Sequence, residues 1–207
     1  VYAWAVSASL ALERKDIAVG VRLEHPQPVI DRIQYGRAAG HAGLPPAFYE
    51  VRASGAGRSV YSFCMCPGGW IVPAATELHG QVVHGMSLAK RNSPYANAAM
   101  VVPVMSADFG EQAPSVLAGV DFQRRIEEAA FESGGGGFRA PAQRLVDFLK
   151  GRRSESLPAS SYQPGLQPAI LDGVLPSFVA AALREGLSVI GRGMPGFIHD
   201  QAVLIAA

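Results

Sequence analysis

The stretch SVYSFCMCPGGWIVPAA (Ser59–Ala75) decides the fold class, because it joins two short apolar segments through Pro67, Gly68 and Gly69. Aromatic and β-branched residues on both sides of these three residues predict two strands. A proline without an N–H, followed by two glycines that tolerate close contacts, predicts a tight turn. The group that approaches those glycines is either a neighbouring strand or a flat ligand.

Further strand candidates flank this stretch on both sides. They are Ile17–Leu23, Ala47–Ala53, Gln81–Ser87 and Ala98–Met105, with a last candidate in residues 201–207. The turns between the candidates of the first half are short and rich in glycine, which favours an antiparallel meander.

The second half of the chain carries helical patterns. Asp121 is a candidate N-cap for a helix over Phe122–Glu132, and the four glycines that follow predict its end. Pro141 and Pro176 stand at the start of two further helical patterns, where a missing N–H costs nothing. We therefore predict one α+β domain, with a mainly antiparallel sheet in a strand-rich part (1–110) and a helix-rich part (111–207).

Composition narrows the classes of protein to consider. The 207 residues are 49% hydrophobic and 17% charged, with a formal net charge of +1, which is typical of a globular domain. The charge argues against a nucleic-acid surface, and the apolar runs are far shorter than the ~20 residues of a membrane span. Without a visible signal peptide we expect a cytoplasmic protein. The missing initial Met suggests a fragment of a longer chain.

The two cysteines, Cys64 and Cys66, share one face if the strand is regular. Zinc needs about four ligands and no second pair of cysteines exists, so we predict no metal. A disulfide between positions i and i+2 would be strained. The simplest interpretation is two small buried hydrophobic side chains, with a redox role as the alternative.

The remaining motifs of the sequence are less specific for a function. Gly191–Gly196 matches G-x-G-x-x-G and Gly135–Ala140 matches its alanine variant, but both follow a helix rather than a strand. His25, with Arg22 and Glu24 nearby, is a candidate acid–base group or substrate contact. The alternative is a strand end whose polar groups face solvent.

Long segments of the chain resemble one family of large flavoproteins, the uncharacterised FAD-dependent dehydrogenases or NAD(P)/FAD-dependent oxidoreductases. The segments are FCMCPGG (63–69), HGMSLAKRNSPYANAAMVVPV (84–104), LAGVDFQRRIEEAAFESGGGGFRAPAQRLVDFL (117–149), IAVGVRLEHPQPVIDRIQYG (17–36) and LPSFVAAALREGL (175–187). Two positions depart from the family pattern: His84 replaces an asparagine before Gly-Met-Ser, and Ala98 replaces a serine after Asn97.

The resemblance implies that this chain is an inserted substrate-side domain, which roofs the flavin and shapes the pocket of a small-molecule substrate. The FAD-binding domain would then flank it in the same protein, and the flavin would exchange a hydride with the substrate. We expect neither FAD nor activity on this chain alone, and no residue is assigned as catalytic. The residues expected to face flavin or substrate are Cys64, Met65, Cys66, Pro67, Gly68, Gly69, Arg22, His25, Arg91 and Asn97.

A second hypothesis is a non-catalytic domain that binds a partner protein or RNA. An RNA-binding face needs clustered basic residues, and the 18 basic and 17 acidic residues of this chain form no long basic stripe. We therefore expect no nucleic acid among its partners.

Overall fold

The computed structural model describes residues 1–110 and 115–207. The predicted boundary between the two parts lies between residues 110 and 111, at the edge of residues 111–114, which are outside the described residues. The strands are β1 (Ile17–Pro26), β2 (Arg52–Gly55), β3 (Arg58–Cys66), β4 (Trp70–Pro73), β5 (Val83–Met86), β6 (Tyr95–Val104), β7 (Ala140–Arg144), β8 (Leu166–Pro168) and β9 (Val203–Ile205). The α-helices are α1 (Tyr2–Ser7), α2 (Gln27–Tyr35), α3 (Ala118–Gly134), α4 (Leu145–Leu149) and α5 (Ser177–Gly193). None of the described helices is both long and apolar enough to cross a membrane.

Seven of the described strands form one sheet, in the order β2-β3-β6-β1-β9-β7-β8. Neighbouring strands are antiparallel except for β7 and β8, which run parallel. The predicted α+β class with a mainly antiparallel sheet is confirmed. The second half is not only helical, because it also contributes β7, β8 and β9 to the sheet.

The prediction of a simple meander is wrong. After β3 the chain leaves the sheet and forms a separate two-stranded ribbon from β4 and β5. It then returns as β6, which pairs with both β1 and β3 near the centre of the sheet. The turn after Cys66 therefore directs the chain out of the sheet, and this separate ribbon lies close to the cysteine pair.

One face of the sheet carries the main hydrophobic core. Val21, Leu23 and Met100 point to this face and are buried, together with apolar residues of α5. In α5 the predicted i, i+4, i+8 series is fully buried and consists of Val179, Leu183 and Leu187.

The other face carries polar side chains that the sequence predicted to alternate with the core residues of β1. Arg22 and Glu24 lie there, opposite Ile205 and Val203 of β9. The β4–β5 ribbon and the loop that precedes β8 cover part of this face, and a smaller apolar cluster forms beneath them. Both polar residues are buried, at 4% and 1% exposure, so the alternative in which they face solvent is wrong.

Two helix starts differ from the sequence interpretation. Leu117 precedes the first residue of α3, so Asp121 lies within the first turn, where a carboxylate still interacts favourably with the helix dipole. The end of α3 is as predicted, because Gly135 adopts the left-handed conformation.

Pro141 begins no helix but lies inside β7, between β8 and β9. Its carbonyl accepts a hydrogen bond from the N–H of Ala206, and the neighbouring Ala140 N–H donates to the carbonyl of Gly165. Helix α4 starts only at Leu145. A proline is compatible with a strand position that does not have to donate, which is why its presence alone misled the sequence interpretation.

Candidate functional site

A bulge in β3 shapes the region around the cysteines. Phe63 is opposite Ala99 of β6 and Cys66 is opposite Asn97, so β3 contains one residue more than its partner over this span. Cys64 lies in the bulge with a φ of 49°, a conformation that few residues other than glycine adopt. As a result the two cysteines do not share one face although both belong to β3, and the interpretation as buried side chains holds for Cys66 but not for the exposed Cys64.

The turn predicted after the cysteines is present, and its residues Pro67, Gly68 and Gly69 are buried. Gly68 has a φ of 53°, and a Cβ there would lie 1.8 Å from the carbonyl oxygen of Arg91. A Cβ on Gly69 would lie 2.8 Å from the carbonyl oxygen of Met86. Of the two alternatives, a neighbouring segment of the chain accounts for the glycines. That the turn faces a flavin stays a prediction.

Arg22 is held above the sheet by uncharged groups. Its Nε donates to Asn97 Oδ1 at 2.7 Å, and its Nη2 donates to the Cys64 carbonyl at 2.8 Å and to Cys66 Sγ at 3.4 Å. This network joins four of the predicted site residues. Burial raises the pKa of the Cys66 thiol, and the nearby charge of Arg22 offsets only part of this rise. The buried cysteine is therefore a neutral thiol and a poor nucleophile.

Glu24 forms a second buried polar contact beside Arg22. Its carboxylate accepts hydrogen bonds from the backbone N–H of Ser161 at 3.0 Å and from the Ser161 hydroxyl. The same hydroxyl accepts a hydrogen bond from the N–H of Ile71 at 2.8 Å, which ties the ribbon to the sheet. Burial raises the pKa of Glu24, against the lowering effect of these hydrogen bonds and of Arg22.

His25 points to the other face of the sheet and is fully buried. Its Nε2 is 2.8 Å from the carbonyl oxygen of Phe197, so this nitrogen carries the proton and donates. Burial lowers the pKa of His25 to about 4, which keeps the ring neutral. The structure therefore separates His25 from the Arg22 network, and its predicted contact with flavin or substrate stays untested.

A pocket with a volume of about 730 Å³ opens beside the bulge. We call it the Phe63 pocket; Cys64, Met65, Pro67 and Arg91 of the predicted site line it together with Phe48 and Phe63. The two phenylalanines are 63% and 64% exposed. Sequence reasoning missed both, although an aromatic residue directly before a cysteine pair was a visible signal.

A smaller cavity of about 180 Å³ lies on the other side of the bulge, and we call it the Arg22 cavity. The side chains that matter for its chemistry are Arg22, Phe63, Cys64, Val83, His84 and Val101. Phe63 and Cys64 therefore stand between the two openings, and Arg22 reaches only the smaller one.

The glycine motifs do not form a nucleotide-binding loop. Gly191 and Gly193 belong to the last turns of α5, so the motif closes a helix instead of opening one. Gly135 and Gly137 form the loop after α3 with positive φ angles. The described residues also contain no group of three or more His, Cys, Asp and Glu side chains that could hold a metal ion.

Free backbone amides at a helix N-terminus can bind a diphosphate, and the nine-residue helix α2 directly follows a strand. There the N–H of Gln27 donates to the carbonyl of Pro94 at 2.8 Å, and Pro28 has no N–H. The Gln27 side chain accepts from the N–H of Gly68 and donates to Asp31. The first two residues of α2 thus have no free N–H for a diphosphate.

Comparison with known proteins gives the family. Residues 16–207 match the family described as FAD-dependent protein, C-terminal domain-like. An uncharacterised protein of Clostridium beijerinckii is 40% identical over 200 residues, which cover 95% of this chain and 37% of the relative. The chain thus spans little more than a third of the length of that relative. Since the match to the family extends over nearly all of its residues, the chain belongs to the FAD-dependent protein, C-terminal domain-like family.

Proposed function

We propose that this chain is the substrate-side domain of a FAD-dependent oxidoreductase, in which it roofs the flavin and shapes the pocket of a small-molecule substrate. The family description names FAD, and the similar clostridial protein is far longer than this chain. In this proposal the diphosphate of FAD is bound by a flanking domain of the same protein, because the first N–H of α2 is bonded to Pro94 and its second residue is a proline.

The observation that carries the proposal is the Phe63 pocket. Phe48 and Phe63 expose most of their surface beside the same opening of about 730 Å³, so two aromatic rings lie together at one concave site. Small-molecule sites are concave, largely apolar and often shared between two domains. A pocket with two exposed aromatic rings and the polar groups of Cys64 and Arg91 at its wall fits such a site.

When bound, FAD supplies the hydride chemistry, and the residues of this chain bind, orient and exclude water. Phe63 would contact the ring system or the substrate through its exposed face. Cys66 is a neutral thiol that supports Arg22, and it is not assigned a redox step.

The test uses the full-length protein that contains this chain. We expect Phe63→Ser to change the flavin absorbance spectrum or to slow flavin reduction by at least tenfold, since Phe63 would lie against the reacting groups. Phe138→Ser is the matched control, because Phe138 is 59% exposed and lines neither the Phe63 pocket nor the Arg22 cavity.

Two outcomes would contradict the proposal. Absence of flavin from the purified full-length protein would remove the oxidoreductase function and favour a non-catalytic binding domain. An unchanged spectrum and reduction rate in folded Phe63→Ser protein would show that the pocket does not face the flavin or its substrate. Substitution of Gly68 is less informative, since any side chain there overlaps the carbonyl of Arg91.

A further inference from the structure

Arg22 is a buried cation that forms no ion pair within the described residues, although the buried Glu24 lies nearby on the same face. The side chain is only 4% exposed, and its hydrogen-bond partners are an amide oxygen, a carbonyl and a thiol. In the part of the chain that the structure describes, no carboxylate forms an ion pair with it. Glu24, two residues away on the same face, directs its carboxylate to Ser161. Buried charges are normally paired, so this one requires an explanation.

The guanidinium also retains unused donors. Of its five N–H groups, the one on Nε and those on Nη2 have acceptors, whereas Nη1 has none among residues 1–110 and 115–207. Arg22 lines the Arg22 cavity, whose remaining walls include Val83, Val101 and the ring of Phe63. An anion in such apolar surroundings would interact with the guanidinium more strongly than it would in water.

The fold makes specific room for this guanidinium. Strand β5 passes it at Gly85, where a Cβ would lie 1.5 Å from Arg22 Nη2 and 2.5 Å from Asn97 Oδ1. Any other residue at position 85 would displace the guanidinium or open the contact between β5 and the sheet. The Nδ2 atom of Asn97 is buried without an acceptor, so Asn97 contributes its oxygen to Arg22 and gains no second bond in return. This arrangement holds the cation in place at the cost of an unsatisfied amide.

We propose that the Arg22 cavity binds the carboxylate group of a small organic acid, with Arg22 Nη1 as the donor and Phe63 beside the carbon skeleton. The small volume of about 180 Å³ favours a compact monocarboxylate, and the single free nitrogen favours one oxygen acceptor. That this acid is the substrate of the oxidoreductase rests on the proposed function, whereas the anion site itself does not.

The binding test again uses the full-length protein. The probes are acetate and benzoate, each compared with its uncharged amide, acetamide and benzamide, by ligand-detected NMR titration. We expect at least one carboxylate to bind roughly tenfold or more tightly than its amide, since hydrogen bonds to charged groups are worth about 1.5–3 kcal/mol. Equal affinity for acid and amide would overturn the proposal. So would absence of carboxylate binding, which would indicate that another part of the protein supplies the anion.

Variants locate the site. Arg22→Met removes the cation and Ala99→Leu fills the cavity without removing a hydrogen bond of Arg22. We expect both to weaken carboxylate binding by roughly tenfold or more. Arg124→Met is the control, because Arg124 lies on the exposed face of α3 in an ion pair with Asp121. If Arg22→Met does not fold, Ala99→Leu still tests whether the carboxylate binds in the Arg22 cavity. Unchanged carboxylate binding in Ala99→Leu would show that it does not.

Failure of this proposal can be told from failure of the proposed function. Carboxylate binding is measured without substrate turnover, and flavin content is read separately from the absorbance of the same preparation. A flavin-containing protein that does not distinguish acids from amides would overturn only the carboxylate site. A flavin-free protein that binds acetate through Arg22 would overturn only the oxidoreductase.

Discussion

His25 is a single residue whose protonation state the fold controls. Burial lowers its pKa from 6.5 to about 4 in the folded protein, so the unfolded chain binds a proton first as the pH falls. The neutral ring therefore stabilises the fold above pH 6.5, and this contribution is lost as the pH falls towards 4. The total loss is roughly 3 kcal/mol, from a shift of ~2.5 units at 1.36 kcal/mol each.

The first prediction is that His25→Gln weakens the pH dependence of stability. Glutamine can still donate to the Phe197 carbonyl but does not titrate in this range. Urea unfolding between pH 7 and pH 4.5 should show a smaller change in the free energy of unfolding for this variant. His41→Gln is the control, since His41 is exposed and should leave the slope unchanged. Equal slopes for His25→Gln and the original protein would show that His25 does not carry the effect.

The sequence predicted several site residues but not their contacts. Arg22 was recognised as a polar residue on a strand, but its partner Asn97 is 75 residues away. Glu24 is bonded by Ser161, 137 residues along the chain. Alternation along β1 gives the face on which a side chain lies, but it does not say that a later loop will cover that face. The local sequence pattern therefore could not predict that these charged side chains are buried.

At the scale of elements, β2 and α5 approach each other closely. A Cβ at Gly55 would lie 2.2 Å from the carbonyl oxygen of Ala182 and 2.5 Å from the backbone nitrogen of Gly186. A Cβ at Gly186 would in turn lie 2.5 Å from the side chain of Val60 in β3. Two glycines thus let the helix lie directly on the edge of the sheet.

The second prediction is that Gly55→Ala destabilises the domain by about 1–3 kcal/mol, since helix backbone atoms must move to make room. The measurement is the free energy of unfolding in urea. Gly173→Ala is the control, because nothing lies within 4 Å of a Cβ at that position. The control should change stability by less than about 0.5 kcal/mol. A similar small effect for Gly55→Ala would mean that α5 does not lie this close to β2.

Elements with a strong periodicity were predictable, and those without one were not. The apolar series of α5 gave its start after Pro176 and its buried face. The strand β7 was missed, because Ala-Pro-Ala-Gln-Arg has no strand-like composition and its proline resembled a helix start. This segment belongs to the sheet because strands that come later in the chain pair with it. Its own residues do not favour a strand.

At the scale of the whole molecule, the sheet is assembled from both halves of the chain. The three-residue strand β9 lies between β1 and β7 and so connects the strand-rich first part to the strands of the second part. Such long-range pairing leaves no local signal in the sequence, which explains why the α+β class was predictable while the strand order was not. The polar face of this combined sheet carries the Arg22 network and the Arg22 cavity.

The last prediction concerns FAD. Residues 1–207 alone should hold FAD in far less than stoichiometric amount, whereas the full-length protein should retain it. The physical reason is that the N–H of Gln27 is bonded to Pro94 and position 28 is a proline, so the first two residues of the helix after β1 have no free N–H for a diphosphate. A ring contact at the Phe63 pocket would leave that diphosphate in water. The measurement is flavin absorbance per protein after gel filtration, for both chains prepared in parallel.

An unfolded fragment would also lack flavin, so residues 1–207 must first show a cooperative unfolding transition. Phe63→Ser in the same fragment provides a further comparison: any weak residual binding of added FAD should decrease, because only the ring would be in contact. Stoichiometric FAD on the folded fragment would contradict the prediction and would require a diphosphate site within this chain. In that case Phe63 would belong to a complete cofactor site within this chain. The proposal that a flanking domain binds the diphosphate would then be wrong.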